Sequence, residues 1–255
     1  MTTDFPEVHR PTSPAGNRPV VLLHGGNWMW EPQLPALTDR LALTPHLPGF
    51  GTRTAESWPG LAGAADDIAA RIRSLAGDSP VDLIGLSLGG VLALHLAARH
   101  PALIASVLAS GAAVERVGGV ARATSGIQLA LWHKRWFWKG QAIAFGLPAD
   151  SHEPYIQHGI SVRRETARAM LAEVYAGGVP DGLANYEGRM LLVAGEKEPA
   201  VMRRSLETLQ RLVPGAQTRI APGMHHVWNV EDVEHWNDVQ RAWLAGTVDG
   251  WLTPL

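Results

Sequence analysis

Residues 81–90 read VDLIGLSLGG, a short apolar run followed by a serine with glycines close on both sides. The run has the length of a buried strand, and the apolar residues after Ser87 are typical of a buried helix. Glycine weakens strands and helices by roughly 0.5–1 kcal/mol relative to alanine. Gly85 and Gly89 therefore indicate a sharp strand-to-helix turn, in which small neighbours allow close approach of the backbone.

On both sides of this turn, short apolar runs that predict strands alternate with stretches of helical period. Because strands that alternate with helices require crossover connections, the predicted fold class is α/β, with a mostly parallel, doubly wound sheet. The predicted strands are 19–25, 41–47, 81–87, 106–111, 189–195 and 216–222, and the predicted helices are 61–77, 88–100, 201–213 and 229–244.

The alternation stops between about residues 112 and 186, where no strand-like run occurs. An excursion of that length predicts an inserted helical cap rather than a loop. The predicted domains are a core of residues 1–111 and 187–255 and a cap of residues 112–186. The last ten residues, 246–255, predict a tail with little structure.

Composition narrows the classes of function. The net charge of −2, without a long basic cluster, argues against nucleic acid or an anionic membrane as partner. The absence of cysteine excludes disulfides, cysteine nucleophiles and thiolate metal sites. No apolar run approaches the ~18 residues of a membrane span. We expect a soluble, cytoplasmic monomer or homodimer that acts on a small molecule.

Five motifs resemble those of the alpha/beta-hydrolase family, and they occur in the family's usual order. The resemblance covers essentially the whole chain except the cap, and it implies the α/β-hydrolase fold with an inserted helical cap. It also implies that Ser87 is a nucleophile at the end of a strand. The motifs are VVLLHGGNWMW (20–30), LPGFG (47–51), IGLSLGG (84–90), LLVAGEKEP (191–199) and PGMHH (222–226).

A serine hydroxyl needs a neighbouring base to become a good nucleophile. The family places this histidine after the last strand, where His225 and His226 are both candidates. The resemblance to P-G-x-x-H favours His226, and His225 would then pack behind it or support it by a hydrogen bond. Adjacent side chains on extended backbone diverge, so the pair is a poor metal site.

The carboxylate that orients the histidine is expected after the strand ending at residue 195. Glu198 lies where the family usually carries its acid, and Glu196 is the alternative. Glu115, beyond the strand 106–111, is a third candidate. The catalytic triad that the resemblance implies is thus completed by Glu198, with the other glutamates as solvated charges.

Acyl transfer also needs two donors for the oxygen that becomes negative. The resemblance implies the backbone N–H groups of Leu88 and Gly26. The loop after His24 is a few residues shorter here than is usual in the family, so the side-chain amide of Asn27 is an alternative donor.

Four residues are predicted to line the substrate pocket. Asn27 and Trp28 lie next to the expected oxyanion loop, and Trp30, close to the same loop, is a further candidate for lining the site. Trp132 and Trp136 are four residues apart and would share a helix face. The alternative for these two tryptophans is that they attach the cap to the core.

Together these features predict a serine hydrolase that cleaves a carboxylic ester of a small, apolar substrate through an acyl-enzyme, without a cofactor or metal. The same triad would serve a hydrolase of C–C bonds in diketones, of thioesters or of lactones. A ligand-binding scaffold without catalysis is the alternative from another functional class.

Overall fold

A computed structural model describes residues 7–12, 17–26, 30–118 and 120–255, with the backbone alone for 120–125. Within these residues the strands form one sheet in the order β1-β3-β2-β4-β5-β6-β7-β8. The two edge strands, β1 and β8, are antiparallel to their neighbours, and all the other pairs are parallel. The strands are β1 (Val8–His9), β2 (Val20–Leu23), β3 (Ala42–Leu43), β4 (Val81–Leu86), β5 (Ile104–Ser110), β6 (Arg189–Gly195), β7 (Gln217–Ala221) and β8 (Thr253–Pro254).

Helices connect these strands, as the alternating pattern predicts. Every described helix is too short or too polar to cross a lipid bilayer. The helices are α1 (Gly60–Ala76), α2 (Leu88–Arg99), α3 (Val120–Leu131), α4 (Arg135–Ala144), α5 (His152–Ser161), α6 (Arg164–Ala176), α7 (Ala200–Leu212), α8 (Trp228–Glu231) and α9 (Val233–Leu244).

The centre of the sheet is buried on both faces. All residues of β2 and β4 are buried, which explains why these strands are apolar except for Asp82 and do not alternate between apolar and polar residues. Helix α2 is apolar nearly all round because it packs against β2, β4 and β5. The prediction of a mostly parallel α/β sheet is confirmed.

The order of the strands determines where a site can form. After β2 the chain adds β3 on one side of it and then β4 on the other. In open α/β sheets ligands bind at such a reversal, in the crevice beyond the carboxyl ends of the strands. Gly25 follows β2 at this edge and Ser87 follows β4, so the quoted turn lies at the crevice.

Four helices, α3 to α6, lie in the segment that the sequence assigns to the cap, residues 112–186, which we call the cap segment. One oxygen of Glu173 in α6 accepts a hydrogen bond of 2.7 Å from the N–H of Leu61 at the start of α1. Arg163 donates to the carbonyl oxygens of Ala55 and Glu56. These bonds connect the cap segment to the core, and the division into two domains stays a prediction.

The C-terminal residues differ from the predicted unstructured tail. Thr253–Pro254 pair with β7, and Leu252 is buried. The ring of Trp251 stacks on that of His235, with 4.3 Å between the ring centroids. The pattern gave no sign of this because the short segment is ordered only by its partners in β7 and α9.

Three buried histidines lie close enough together to interact electrostatically. They are His24 after β2, His46 in the loop after β3, and His158 in α5. Burial, together with the charges of His46 and His158, lowers the pKa of His24 to about 3. Burial and the charge of His46 lower the pKa of His158 to about 4. His24 is therefore neutral at pH 7, and its Nε2 accepts from the N–H of Leu47 at 3.3 Å.

The lowered pKa values predict acid sensitivity. Unfolded histidines take up protons near pH 6.5, whereas His24 and His158 in the folded chain resist protonation down to about 3 and 4. The free energy of unfolding should thus fall as the pH drops from about 6.5 towards 4, by up to roughly 1.4 kcal/mol per pH unit and histidine. Urea titrations at several pH values measure this free energy, and His158→Gln should make its dependence on pH less steep. The exposed His133→Gln is the control, and an equal reduction there would contradict the assignment.

Candidate active site

The turn after β4 holds Ser87 in a strained conformation. Its φ of 57° is positive, and no other non-glycine residue of the described chain has a positive φ. Such a conformation costs roughly 1–3 kcal/mol and persists where the surroundings impose it. A Cβ on Gly89 would lie 1.9 Å from the carbonyl oxygen of Leu23, and one on Gly85 would lie 2.3 Å from that of Gly89. Both positions must therefore be glycine, because the first turn of α2 packs directly against the backbone of β2 and β4. This close packing raises Ser87 out of the sheet.

The imidazole of His226 connects the serine to a carboxylate. Its Nε2 lies 2.8 Å from Oγ of Ser87, and its Nδ1 is hydrogen-bonded to Oε1 of Glu198. With the ring proton on Nδ1, the imidazole donates to Glu198 and accepts from the serine hydroxyl. This arrangement can remove a proton from Ser87 while the carboxylate stabilises the positive ring.

Glu198 is held in a tight turn after β6. Its N–H donates to the carbonyl oxygen of Gly195 at 3.1 Å, and its Oε2 accepts from the N–H of Gly195 at 2.7 Å. The side chain is only 2% exposed. Since one carboxylate oxygen is fixed by the backbone, the other is directed at His226.

Gly111, directly after β5, leaves room for this pair. Its φ is +62°, and an added Cβ would lie 2.8 Å from Cε1 of His226 and 3.3 Å from Oε1 of Glu198. Its N–H donates to the carbonyl oxygen of Val193 in β6. A glutamate, with one methylene more than aspartate, fits because no side chain occupies this position. Gly111 was not among the residues predicted from the sequence, although its place at the end of the predicted strand 106–111 was a signal.

The surroundings also tune the basicity of His226. Burial of the ring lowers the pKa of His226, but the charge of Glu198 and its hydrogen bond together outweigh this and raise the pKa above its ordinary value. A raised pKa makes the neutral imidazole a stronger base for the hydroxyl of Ser87.

The alternative candidates have other partners. Nδ1 of His225 lies 2.7 Å from Oε1 of Glu231, whose second oxygen accepts from the N–H of His225. Glu196 accepts from the N–H of Gly223 at 2.7 Å. Glu115 accepts from the hydroxyl of Thr208. None of the three is hydrogen-bonded to Ser87 or His226 in the part of the chain that the structure describes.

Two expected donors for an oxyanion, Gly26 and Leu88, line the cavity above Ser87. Leu88 is the first residue of α2, so its N–H is among those that a helix leaves without an internal partner. The positive end of the helix dipole adds to the attraction for negative charge there. Asn27 and Trp28 lie outside the described residues.

The cavity over Ser87 has a volume of about 380 Å³ and mostly apolar walls. The cap segment supplies most of these walls, and Phe145 lies against the ring of His226 with 5.8 Å between centroids. Polar groups of the wall are paired: Tyr155 donates to Gln141 and Tyr175 to Gln128. The indole N–H groups of Trp132 and Trp138 donate to backbone carbonyl oxygens. Other apolar wall residues are Val91, Val117, Trp138, Met170, Leu171, Val174 and Met202.

The two predicted cap tryptophans do not share a helix face. Trp132 is buried and lines the cavity, whereas Trp136 is 64% exposed and does not. Helix α3 ends at residue 131 and α4 begins at residue 135, so the chain changes direction between them. The second buried tryptophan is Trp138, which meets Trp132 edge to face at 4.8 Å. Gly159 permits this, because an added Cβ would lie 2.3 Å from the Trp138 ring.

Trp30 is likewise absent from the cavity wall. It is buried and packs against Trp236 of α9, with 5.7 Å between the ring centroids. Among the described residues, no group of three or more His, Asp or Glu side chains is arranged to hold a metal ion.

Gly111 provides a test of the geometry. Gly111→Ala should displace His226, and it should slow the reaction of Ser87 with a fluorophosphonate by about tenfold or more, because a 1 Å shift of a reacting group costs up to about a hundredfold. Labelling rates by intact-protein mass spectrometry measure this. The exposed Gly118→Ala is the control, since nothing lies within 4 Å of its added Cβ. Equal labelling of both variants would refute the close contact.

The chain is similar to several known hydrolases. Over 104 residues, the chain is 39% identical to the pimeloyl-[acyl-carrier protein] methyl ester esterase of Neisseria meningitidis, and the match spans only 38% of either chain. The esterase of Exiguobacterium antarcticum superposes with a TM-score of 0.80 at 18% identity, over 94% of both chains. The enol-lactonase of Burkholderia xenovorans superposes with a TM-score of 0.75 at 18% identity, over 93% of this chain and 96% of the other.

A family model described as "Alpha/beta hydrolase family" matches residues 20–239, which include the strands β2 to β7 and all three residues of the hydrogen-bonded chain. The protein therefore belongs to the alpha/beta hydrolase family.

Proposed function

We propose that the protein hydrolyses carboxylic esters of small substrates with apolar chains, through an acyl-enzyme on Ser87. The observation that carries this proposal is the hydrogen-bonded chain from Ser87 through His226 to Glu198 at the floor of an apolar cavity. The methyl ester esterase similar to part of this chain supports an ester as substrate.

The reaction follows from the placement of the three side chains. As Oγ of Ser87 attacks the ester carbonyl, its proton passes to Nε2 of His226, and the carbonyl oxygen becomes negative between the N–H groups of Leu88 and Gly26. His226 then gives the proton to the leaving alkoxide, which departs as an alcohol. Water, deprotonated by the same imidazole, attacks the acyl-enzyme, and the return of the proton to Ser87 releases the acid.

The cavity indicates the class of substrate. Its volume of about 380 Å³ suits a small molecule, and the aromatic and aliphatic walls favour an unbranched or aromatic apolar group. Walls that exclude water also strengthen the hydrogen bonds to the developing oxyanion. Hydrolysis of lactones, thioesters or diketone C–C bonds would use the same groups, and a substrate panel containing one compound of each class distinguishes them from esters.

Replacement of the nucleophile tests the proposal. Ser87→Ala should lower kcat for p-nitrophenyl butyrate by at least about a thousandfold, because no acyl-enzyme can form. Release of p-nitrophenol in a spectrophotometer measures this. Ser74→Ala, an exposed serine of α1, is the matched control and should retain activity. Equal rates for parent and Ser87→Ala would refute the role of Ser87.

The acid limb of the pH profile tests Glu198. Because the neutral form of His226 is the base, the rate falls as the pH drops through the pKa of His226, which Glu198 raises. Glu198→Gln should lower kcat by about a hundredfold or more and shift this limb to lower pH. Glu196→Gln is the control at the neighbouring carboxylate. A limb that stays in place in Glu198→Gln would contradict the assignment.

A further inference from the structure

We propose that a groove beside the catalytic cavity binds a carboxylate at the far end of the substrate, through Arg116 and Arg168. This inference rests on the proposed ester hydrolysis and adds to it the class of acyl chain. The preferred substrate would then be an ester whose apolar chain ends in a negative charge.

The groove is a depression of about 220 Å³ on the surface of the cap segment, and it adjoins the catalytic cavity. Leu171 and Tyr175 belong to the walls of both spaces. The substrate path that we propose runs past these two side chains, from the catalytic cavity into the groove. Leu129 and Ala172 extend the apolar surface along this path.

Arg168 is placed at the groove by helix geometry. Residues 168, 171, 172 and 175 of α6 lie three, four and seven positions apart, so they share one face of the helix. The face that supplies Leu171 and Tyr175 to the cavity thus also carries the guanidinium of Arg168. On the proposed path, a substrate chain held by these apolar residues passes close to the guanidinium of Arg168.

Arg116 is placed by its neighbours in the backbone. The N–H of Glu115 donates to Oγ of Ser205 at 3.1 Å, and the N–H of Val117 donates to the carbonyl oxygen of Tyr175 at 3.1 Å. An added Cβ on Gly177 would lie 2.8 Å from the backbone N of Arg116, which shows how closely this segment is packed. The position of Arg116 is therefore fixed although its side chain is exposed.

Neither arginine has a counter-ion among the described residues. No carboxylate that the structure describes lies within 4 Å of either guanidinium, whereas Arg135 elsewhere in the cap segment pairs with Glu153 at 2.6 Å. The adjacent Glu115 instead accepts from the hydroxyl of Thr208. Two unpaired cations at the end of an apolar path are available to an anionic ligand.

A guanidinium presents its N–H groups as a planar fork that matches the two oxygens of a carboxylate. The apolar wall formed by Leu129, Leu171 and Ala172 suits the methylene groups that precede such a carboxylate. This combination selects a long acyl chain with a terminal acid over a chain that ends in a methyl group.

The test compares two esters of equal chain length. These are p-nitrophenyl octanoate, which is neutral, and the mono-p-nitrophenyl ester of octanedioic acid, which ends in a carboxylate. We expect the ratio of their kcat/KM values, charged over neutral, to fall about 5- to 30-fold in the double variant Arg116→Gln/Arg168→Gln. Added salt should lower the ratio in the parent protein and leave it nearly constant in the double variant.

The double variant Arg203→Gln/Arg204→Gln is the matched control, since it also removes two positive charges, from exposed arginines of α7 that line neither the groove nor the catalytic cavity. Its ratio should equal that of the parent protein. An Arg116→Gln/Arg168→Gln variant whose ratio stays within about twofold of the parent value overturns the inference, as does a parent protein that cleaves only the neutral ester.

A binding measurement separates this inference from the proposed function. Free octanedioate should raise the Tm of the parent protein more than octanoate does, and the Arg116→Gln/Arg168→Gln variant should lose this difference. If neither ester is cleaved, the proposed function fails, and the Tm comparison still decides whether the groove binds the carboxylate. Equal Tm shifts for both acids in the parent protein would exclude the groove as an anion site.

Discussion

The contact between the first turn of α2 and the end of β2 determines how the rest of the site is built. Gly89 lies so close to the carbonyl oxygen of Leu23 that any side chain there would collide with it. Because α2 begins at this contact, the residue before it must turn sharply, and Ser87 accepts a positive φ. The strain of roughly 1–3 kcal/mol is offset by the burial of α2 against three strands.

The same constraint brings distant parts of the chain together. The N–H of Ser87 is bonded to the carbonyl oxygen of Ser110 at the end of β5, and Gly111 follows there with the space that Glu198 and His226 occupy. The carboxyl ends of β4, β5, β6 and β7 thus meet at one edge of the parallel sheet. The hydroxyl, the imidazole and the carboxylate reach one another because each follows a different strand of that edge.

The cap segment provides most of the apolar wall around Ser87. Trp132 directly after α3, Trp138 in α4 and Phe145 directly after α4 line the cavity around the hydroxyl. Two tyrosine–glutamine pairs are hydrogen-bonded within the same wall. Helix α6 contributes to both the catalytic cavity and the neighbouring groove. A single helix face can therefore couple recognition of the acyl chain to recognition of a charge at its end.

The sequence by itself determined the parallel α/β sheet, the turn at Ser87 and the order of the family's motifs, because these depend on local periodicity and on glycines that a sharp turn requires. It favoured His226 over His225 and Glu198 over Glu196 only through the family resemblance, since neighbouring residues differ mainly in the direction of their side chains. It also paired Trp132 with Trp136, because the break between α3 and α4 is not visible in spacing alone. Only the tertiary structure decided these points, since contacts between strand ends far apart in the chain select the side chain that faces the cavity.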